Sequence, residues 1–139
     1  MSFEIRQMKI SDYEAAYALW EKTPGIGLSD ADSRENIDIY LQRNPGFSFI
    51  ALSENKLVGA VLCGHDGRRG YLHHLVVDER YQKQQVGKLL VENCMNALEQ
   101  LGIKKCHIFV YRDNEAGKAF WEHIGWKLRL ELDIMSFDI

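Results

Sequence analysis

Residues 3–8 alternate Phe3, Ile5 and Gln7 against Glu4, Arg6 and Met8, the period-two pattern of a short edge strand. The period then changes. Ser11 and Glu14 read as a capping box, in which hydroxyl and carboxylate each satisfy an orphan helix amide. The helix they open runs to about Glu21, with Ala15, Ala16, Leu19 and Trp20 inward. Thr23-Pro24-Gly25-Ile26-Gly27 breaks it. New caps at residues 29–32 start a helix carrying Ile37, Tyr40 and Leu41. Asn44-Pro45-Gly46 ends that helix, because a residue before proline is driven out of the helical region.

Three strands follow, at residues 47–52, 56–63 and 71–77, joined by Glu54-Asn55 and by the loop 65–70 with its Asp-Gly turn signal. On the third strand, strict alternation puts Tyr71, His73 and Leu75 on one face and Leu72, His74 and Val76 on the other. Val86, Leu89, Leu90, Cys94, Ala97, Leu98 and Leu101 have the spacing of a long amphipathic helix, stopped by Gly102. A strand over 105–111, a helix capped by Asp113 or Asn114 and closed by Gly125, and a final strand or bent pair over 127–137 complete the chain. The pattern predicts a mixed α/β fold: an antiparallel meander, then two right-handed crossovers adding parallel strands, with helices on both faces.

Composition narrows the picture. The 139 residues, with two prolines and no low-complexity stretch, predict one domain over 1–139. A net charge of -3 and no Lys/Arg cluster beyond a dipeptide argue against nucleic acid. No run of about 20 apolar residues predicts a membrane span. Cys63, Cys94 and Cys106 lack the short spacing zinc requires and read as buried small hydrophobes, so no metal is expected. An odd cysteine count without a signal-peptide pattern predicts a reducing compartment, the cytoplasm.

Chemistry concentrates between Tyr71 and Lys88. A strand ends, a polar loop turns, and a long helix begins near Gln85. Unpaired helix-start amides and a dipole of roughly +0.5 charge make an anion site suited to a diphosphate. A plain strand-to-helix connection without a ligand is the open alternative.

Gln82-Lys83-Gln84-Gln85-Val86-Gly87, preceded by Leu75-Val76-Val77, resembles the acetyl-CoA loop of the GNAT superfamily of N-acetyltransferases: Arg or Gln, two residues, Gly, one residue, Gly or Ala. Asn114 opening a helix, Trp121 seven residues on, then Gly125 and Trp126, is similar to a second pattern of that family. With the element order, the resemblance covers nearly the whole chain. It implies a mostly antiparallel sheet whose central strands splay apart, often beside a bulge, around the thioester of acetyl-CoA. It implies that amides of Lys83, Gln84, Gln85, Val86, Gly87 and Lys88 cradle the pyrophosphate. Leu75, Val76 and Val77 would pair with the pantetheine arm, which Asn114, within the Asn114–Gly117 helix start, would also bind. An amide near Leu75 would polarise the thioester carbonyl.

The activity implied is acetyl transfer to the amine of a small molecule or peptide, by direct attack in a ternary complex. The resemblance makes His73 the candidate base, because in some relatives the residues matching Tyr71 and His73 face the acetyl site, and its ordinary pKa of about 6.5 suits proton uptake; a half-buried polar residue without a catalytic role is the alternative. The resemblance also places an acceptor pocket around residues 20–38, where Trp20 lies near Glu21, Asp30, Asp32, Glu35 and Asp38. Helix capping is the alternative role for Asp30 and Asp32. Two departures stand out. Gln85 replaces the first motif glycine, and Trp121 replaces a Tyr that protonates the leaving thiolate in many members. An indole N–H is no useful acid, so Trp121 is expected to pack against the cofactor. A catalytically inactive CoA-binding module is the rival these departures leave open. Residues 128–137 are a candidate strand for pairing across a homodimer.

Overall fold

The computed structural model describes residues 3–139. It divides into two compact units, the first ending at Phe109 and the second spanning Val110–Ile139.

The first unit holds β1 (Glu4–Gln7), α1 (Tyr13–Glu21), α2 (Arg34–Arg43), β2 (Phe49–Ser53), β3 (Lys56–His65), β4 (Gly70–Val77), α3 (Val86–Gln100) and β5 (Cys106–Ile108). The five strands form one sheet in the order β1-β2-β3-β4-β5. Every neighbouring pair is antiparallel except β4–β5, which is parallel across the α3 crossover. The mixed sheet expected from the pattern is therefore present.

Helices cover both faces. Ala60 and Leu62 of β3 pack with Ala16, Leu19 and Trp20 of α1 and Ile37 of α2. On the other face, a Cβ added to Gly59 would stand 3.1 Å from Leu90 and 3.4 Å from Val86 of α3. The intervening residues alternate, so Gly59, Val61 and Cys63 look towards α3. Val86, Leu90, Val91, Cys94 and Leu98 form the buried stripe of α3, whereas Leu89 and Leu101, expected on it, are exposed. Gly102 closes the helix at φ +86°.

Several local expectations are corrected. The expected capping box is absent: Asp12 directly precedes α1 without a side-chain cap to it, and instead closes the 3-10 turn Ile10–Asp12 that leads into the helix. Its carboxylate accepts from the Lys9 N–H at 2.8 Å and from both terminal nitrogens of Arg6 at 2.9 Å. A charged acceptor held by a bidentate guanidinium outcompetes a lone hydroxyl. Ala15 is exposed, and Tyr13 takes its place in the buried stripe with Ala16, Leu19 and Trp20. The strand expected over 105–111 is reduced to Cys106–Ile108.

The second unit contains α4 (Glu115–His123), capped by Asn114, and Gly125 at φ +101° just beyond it. The strand expected over 127–137 is not formed; residues 127–139 carry no strand, so the second parallel crossover is missing. Leu128, Leu130, Leu132 and Ile134 do alternate with charged residues. Alternation fixes which face a strand would show, but a strand exists only where a neighbour takes its backbone hydrogen bonds.

Candidate active site

The site is built on an irregularity in β4. On one edge its register with β3 runs from Gly70↔His65 to His73↔Leu62, then resumes at Val76↔Ala60. Three steps along β4 match two along β3, so one extra residue is accommodated between His73 and Val76: a β-bulge. His74 sits in it at φ +53°. That left-handed conformation costs an ordinary residue about 1–2 kcal/mol, and histidine is among the types that tolerate it.

The bulge reverses the strand's facing. Leu72 pairs with Cys63 and is buried towards α3, while Val76 pairs with Ala60 and joins the cluster under α1. His73 pairs with Leu62 and faces α1 and α2 as well. His74 is turned to that same side, contrary to strict alternation, and its ring lies 5.0 Å from Trp20 and 6.5 Å from His73. The two histidines therefore share a face.

On the other edge, β4 pairs with β5 through three residues, ending at Leu72↔Ile108. From His73 to Val77 it has no β5 partner, although it stays bonded to β3. The sheet thus opens beside the bulge, and past Leu72 the β4 edge has no strand partner on that side, which leaves room for an extended ligand at Leu75, while the Val77 carbonyl is taken by Gln82.

Both histidines line a cavity of about 310 Å³. Its other walls come from Gly27, Ser29, Asp32, Ile37, Tyr40 and Leu62, among others. Asp32 ends a short 3-10 turn over Asp30–Asp32 and is buried. Its Oδ2 accepts from the Ser29 N–H at 3.0 Å, and its carbonyl accepts from the Tyr13 hydroxyl at 2.6 Å. Its Oδ1 lies 2.7 Å from Nε2 of His74. Asp32 is thus both cap and pocket residue. Burial pushes the His73 pKa down, and the neighbouring His74 pushes the same way against an opposing pull from Asp32. His73 is accordingly neutral at pH 7 and able to accept a proton. Burial raises the Tyr40 hydroxyl, which has no hydrogen-bond partner among the described residues.

Beyond β4 the chain makes a 3-10 turn over Glu79–Gln84 and enters α3. Asp78 anchors this loop. Its N–H donates to the Val58 carbonyl at 2.8 Å and its carboxylate accepts from the Arg80 N–H and guanidinium. These partners hold the Asp78 pKa at about 2. Gln82, expected at the cofactor, donates its side-chain amide to the Val77 carbonyl at 3.1 Å. Gln85 stands at φ +65°, the left-handed conformation that explains a glycine in the motif. Its side chain is exposed and caps nothing. The first amides of α3, those of Val86, Gly87 and Lys88, have no intrahelical acceptor by helix geometry. No acidic residue lies in that first turn, and Lys83 and Lys88 are exposed beside it. The segment fits an anionic ligand.

In the second unit, Asn114 Oδ1 accepts from the Gly117 N–H at 3.0 Å. A Cβ on Gly117 would come within 2.5 Å of the Asn114 amide nitrogen, so glycine makes room for the cap. Trp121 packs on Trp126, ring centroids 4.7 Å apart, and on Phe120 at 5.3 Å. Among the described residues no group of three His, Cys, Asp or Glu is placed to hold a metal ion. No helix among them is long and apolar enough to cross a membrane.

Strict alternation misplaced His74, and the pairing of His74 with Asp32 was not visible in sequence. The one available signal was two adjacent histidines in an otherwise apolar strand.

Comparison with known proteins agrees with this fold. Residues 13–126 match the acetyltransferase (GNAT) family. An acetyltransferase of Pectobacterium atrosepticum is 27% identical over 124 residues, covering 89% of this chain and 87% of its own. An N-alpha-acetyltransferase of Schizosaccharomyces pombe is 28% identical over 104 residues, 71% of this chain and 69% of its own. Among solved structures, the PaiA N-acetyltransferase of Thermoplasma acidophilum, in complex with coenzyme A, superposes with a TM-score of 0.83 at 22% identity, covering 93% of this chain and 92% of that one.

Proposed function

We propose, from the premise that the chain belongs to the acetyltransferase (GNAT) family and is an acyltransferase, that it moves the acetyl group of acetyl-CoA to a primary amine by direct attack. The observation that carries this reading is the opening of the sheet at β4. A strand edge that β5 leaves unpaired from His73 to Val77 runs beside a cavity holding two histidines, and leads into a helix start free of acidic residues.

Each part of the chain has a task. Amides from Lys83 to Lys88 bind the pyrophosphate at the positive end of α3. Backbone groups of Leu75, Val76 and Val77 hold the pantetheine arm as an added strand, and an amide at Leu75 or beside it polarises the thioester carbonyl. Gln82 supports the loop by holding the Val77 carbonyl. For Asn114, Gly117 and Trp121, a cofactor role rests on the sequence resemblance alone. The bound donor supplies an activated thioester and a thiolate leaving group.

The acceptor nitrogen uses its lone pair to form the C–N bond, and the C–S bond breaks with its electron pair on sulfur. His73, neutral and in the cavity, accepts a proton from that nitrogen. A thiol pKa of about 8.5 lets the sulfur depart without a protein acid, so Trp121 needs no proton to give.

Residues 1–139 act as one catalytic domain in this proposal, a view supported by the family match running through Phe109 and Val110. The acceptor is a small molecule or a peptide amine, and the proposed setting is the cytoplasm.

Calorimetric titration of the full chain with acetyl-CoA tests the proposal. Micromolar binding is expected, abolished by Gly87→Phe in a protein whose circular dichroism is unchanged. No binding by the folded wild-type chain would overturn it.

A further inference from the structure

An amine that becomes an amide loses two protons, one before its nitrogen can attack and one afterwards. At neutral pH an aliphatic amine arrives as an ammonium ion. His73 is poorly suited to the first proton, because burial and its neighbour lower its basicity. The cavity contains a second imidazole in different surroundings.

His74 is held by a carboxylate. Its Nε2 lies 2.7 Å from Asp32 Oδ1, and both side chains are largely buried, at 15% and 9% exposure. The other carboxylate oxygen is fixed by the Ser29 N–H, and the turn is tied to α1 through Tyr13. With Asp32 accepting from Nε2–H, the neutral ring presents the lone pair of Nδ1. A carboxylate behind an imidazole selects the tautomer and stabilises the imidazolium formed on proton uptake. Trp20 packs against the ring and the left-handed bulge aims it. The titratable groups around the pair are His73 on β4, Tyr13 on α1 and Tyr40 on α2. Strain of this kind, maintained beside a cavity, is characteristic of functional sites.

We propose that His74, positioned by Asp32, takes the proton of the arriving acceptor ammonium on Nδ1, leaving His73 to accept the proton that nitrogen sheds on attack. This rests on the amine-acetylation reading above and assigns its acceptors as amines protonated at neutral pH. The ammonium N–H bond breaks with its electron pair kept by nitrogen, and that pair forms the C–N bond. Both imidazoles return their protons to solvent, and the departing thiolate takes one up.

The test compares n-butylamine, an ammonium at pH 7, with hydroxylamine, already neutral there, both at saturating acetyl-CoA. His74→Asn keeps a residue that accepts the left-handed conformation, and Asp32→Asn keeps the size of the carboxylate. Each is expected to lower kcat/KM for n-butylamine by about 10²-fold and for hydroxylamine by less than about threefold. The n-butylamine loss should shrink as pH rises and the free amine becomes abundant. Equal losses with both amines would mean a structural role and overturn the proposal. Nitrogen-15 NMR of the histidines in the unliganded full chain gives an arm independent of turnover. A neutral His74 with hydrogen on Nε2 supports the proposal. Hydrogen on Nδ1 in the neutral ring refutes it. Absence of acetyl transfer to any amine, with acetyl-CoA binding intact, would instead count against the reading it rests on.

Discussion

The two faces of the sheet in the first unit use the same strands for opposite purposes. Towards α3, Val61, Cys63 and Leu72 face the buried stripe of Val86, Leu90 and Cys94 in an apolar layer, with Leu72 and Leu90 at 2% and 0% exposure. Burial there raises the Cys106 thiol to about 12 and keeps it protonated. Towards α1 and α2 the same sheet carries Asp32, His73, His74 and Tyr40 around a cavity. Polar groups buried on this side incur desolvation, which is offset by the Asp32 hydrogen bonds but not at Tyr40, whose hydroxyl lacks a partner. One face is a support and the other a reagent, and the β4 bulge is what assigns His74 to the second.

The sharpest way to break this contrast is to damage the support. Leu90→Ala removes a fully buried side chain from the α3 layer and is expected to cost about 2–5 kcal/mol. Urea unfolding checks it, while the KM for acetyl-CoA of the folded fraction should stay within about twofold. If instead binding falls while stability holds, the α3 layer is part of the site and the division into two faces fails.

The complementary substitution spares stability and removes chemistry. His73→Ala is expected to lower kcat/KM by about 10²-fold, equivalent to roughly 2.7 kcal/mol in the barrier. Its unfolding free energy should change by less than about 1 kcal/mol, because among the described residues no hydrogen bond depends on the ring. The acid limb of the pH–rate profile should report a group below the ordinary histidine value, as burial of His73 requires. A profile unchanged in the variant would remove His73 from proton transfer.

A smaller effect lies at the junction between the faces and the loop. Asp78 has its folded pKa depressed to about 2 by Arg80 and Lys22. A depressed carboxylate contributes stability above its unfolded pKa, ordinarily about 3.9, which is lost as pH falls through the folded value. The contribution should therefore be complete above about pH 4 and vanish towards pH 2. Both cationic partners are mostly exposed, so solvent screening limits it to the order of 1 kcal/mol. Asp78→Asn should be destabilised by that amount at pH 7 and match the wild type near pH 2. A constant difference across this range would show that packing, not charge, holds the loop.

How far the sequence foretold these faces depends on the range of the interactions involved. The helical period named α3 and its glycine stop, and apolar runs bounded by turn signals named β2, β3 and β4, because such patterns report burial that each segment carries within itself. The β4 bulge was illegible: it is a mismatch between two strands, visible only when Ala60 and Val76 are paired. Asp32 looked like a helix cap and is one, but its second role depends on His74, forty-two positions away. Residues 127–137 show the converse failure, a clear alternation without the pairing that would make it a strand.

Gln85 offers the finest test, since here the sequence departs from the motif while the backbone keeps the motif's shape. Its φ of +65° is left-handed, so the chain holds a glycine-type turn with a residue that carries a Cβ. Gln85→Gly relieves about 1 kcal/mol of backbone strain and returns roughly 0.5–1 kcal/mol as conformational entropy of the unfolded chain. The net change in unfolding free energy should therefore be under about 1 kcal/mol. Gln85→Val separates the two contributions, because a β-branched side chain is the worst occupant of this conformation. It should lose about 1–2 kcal/mol of stability and weaken acetyl-CoA binding as the turn relaxes out of place. If Gln85→Val binds and unfolds like the wild type, the turn is not held left-handed in solution. The helix-start amides would then have no fixed aim, and the loop would belong to neither face.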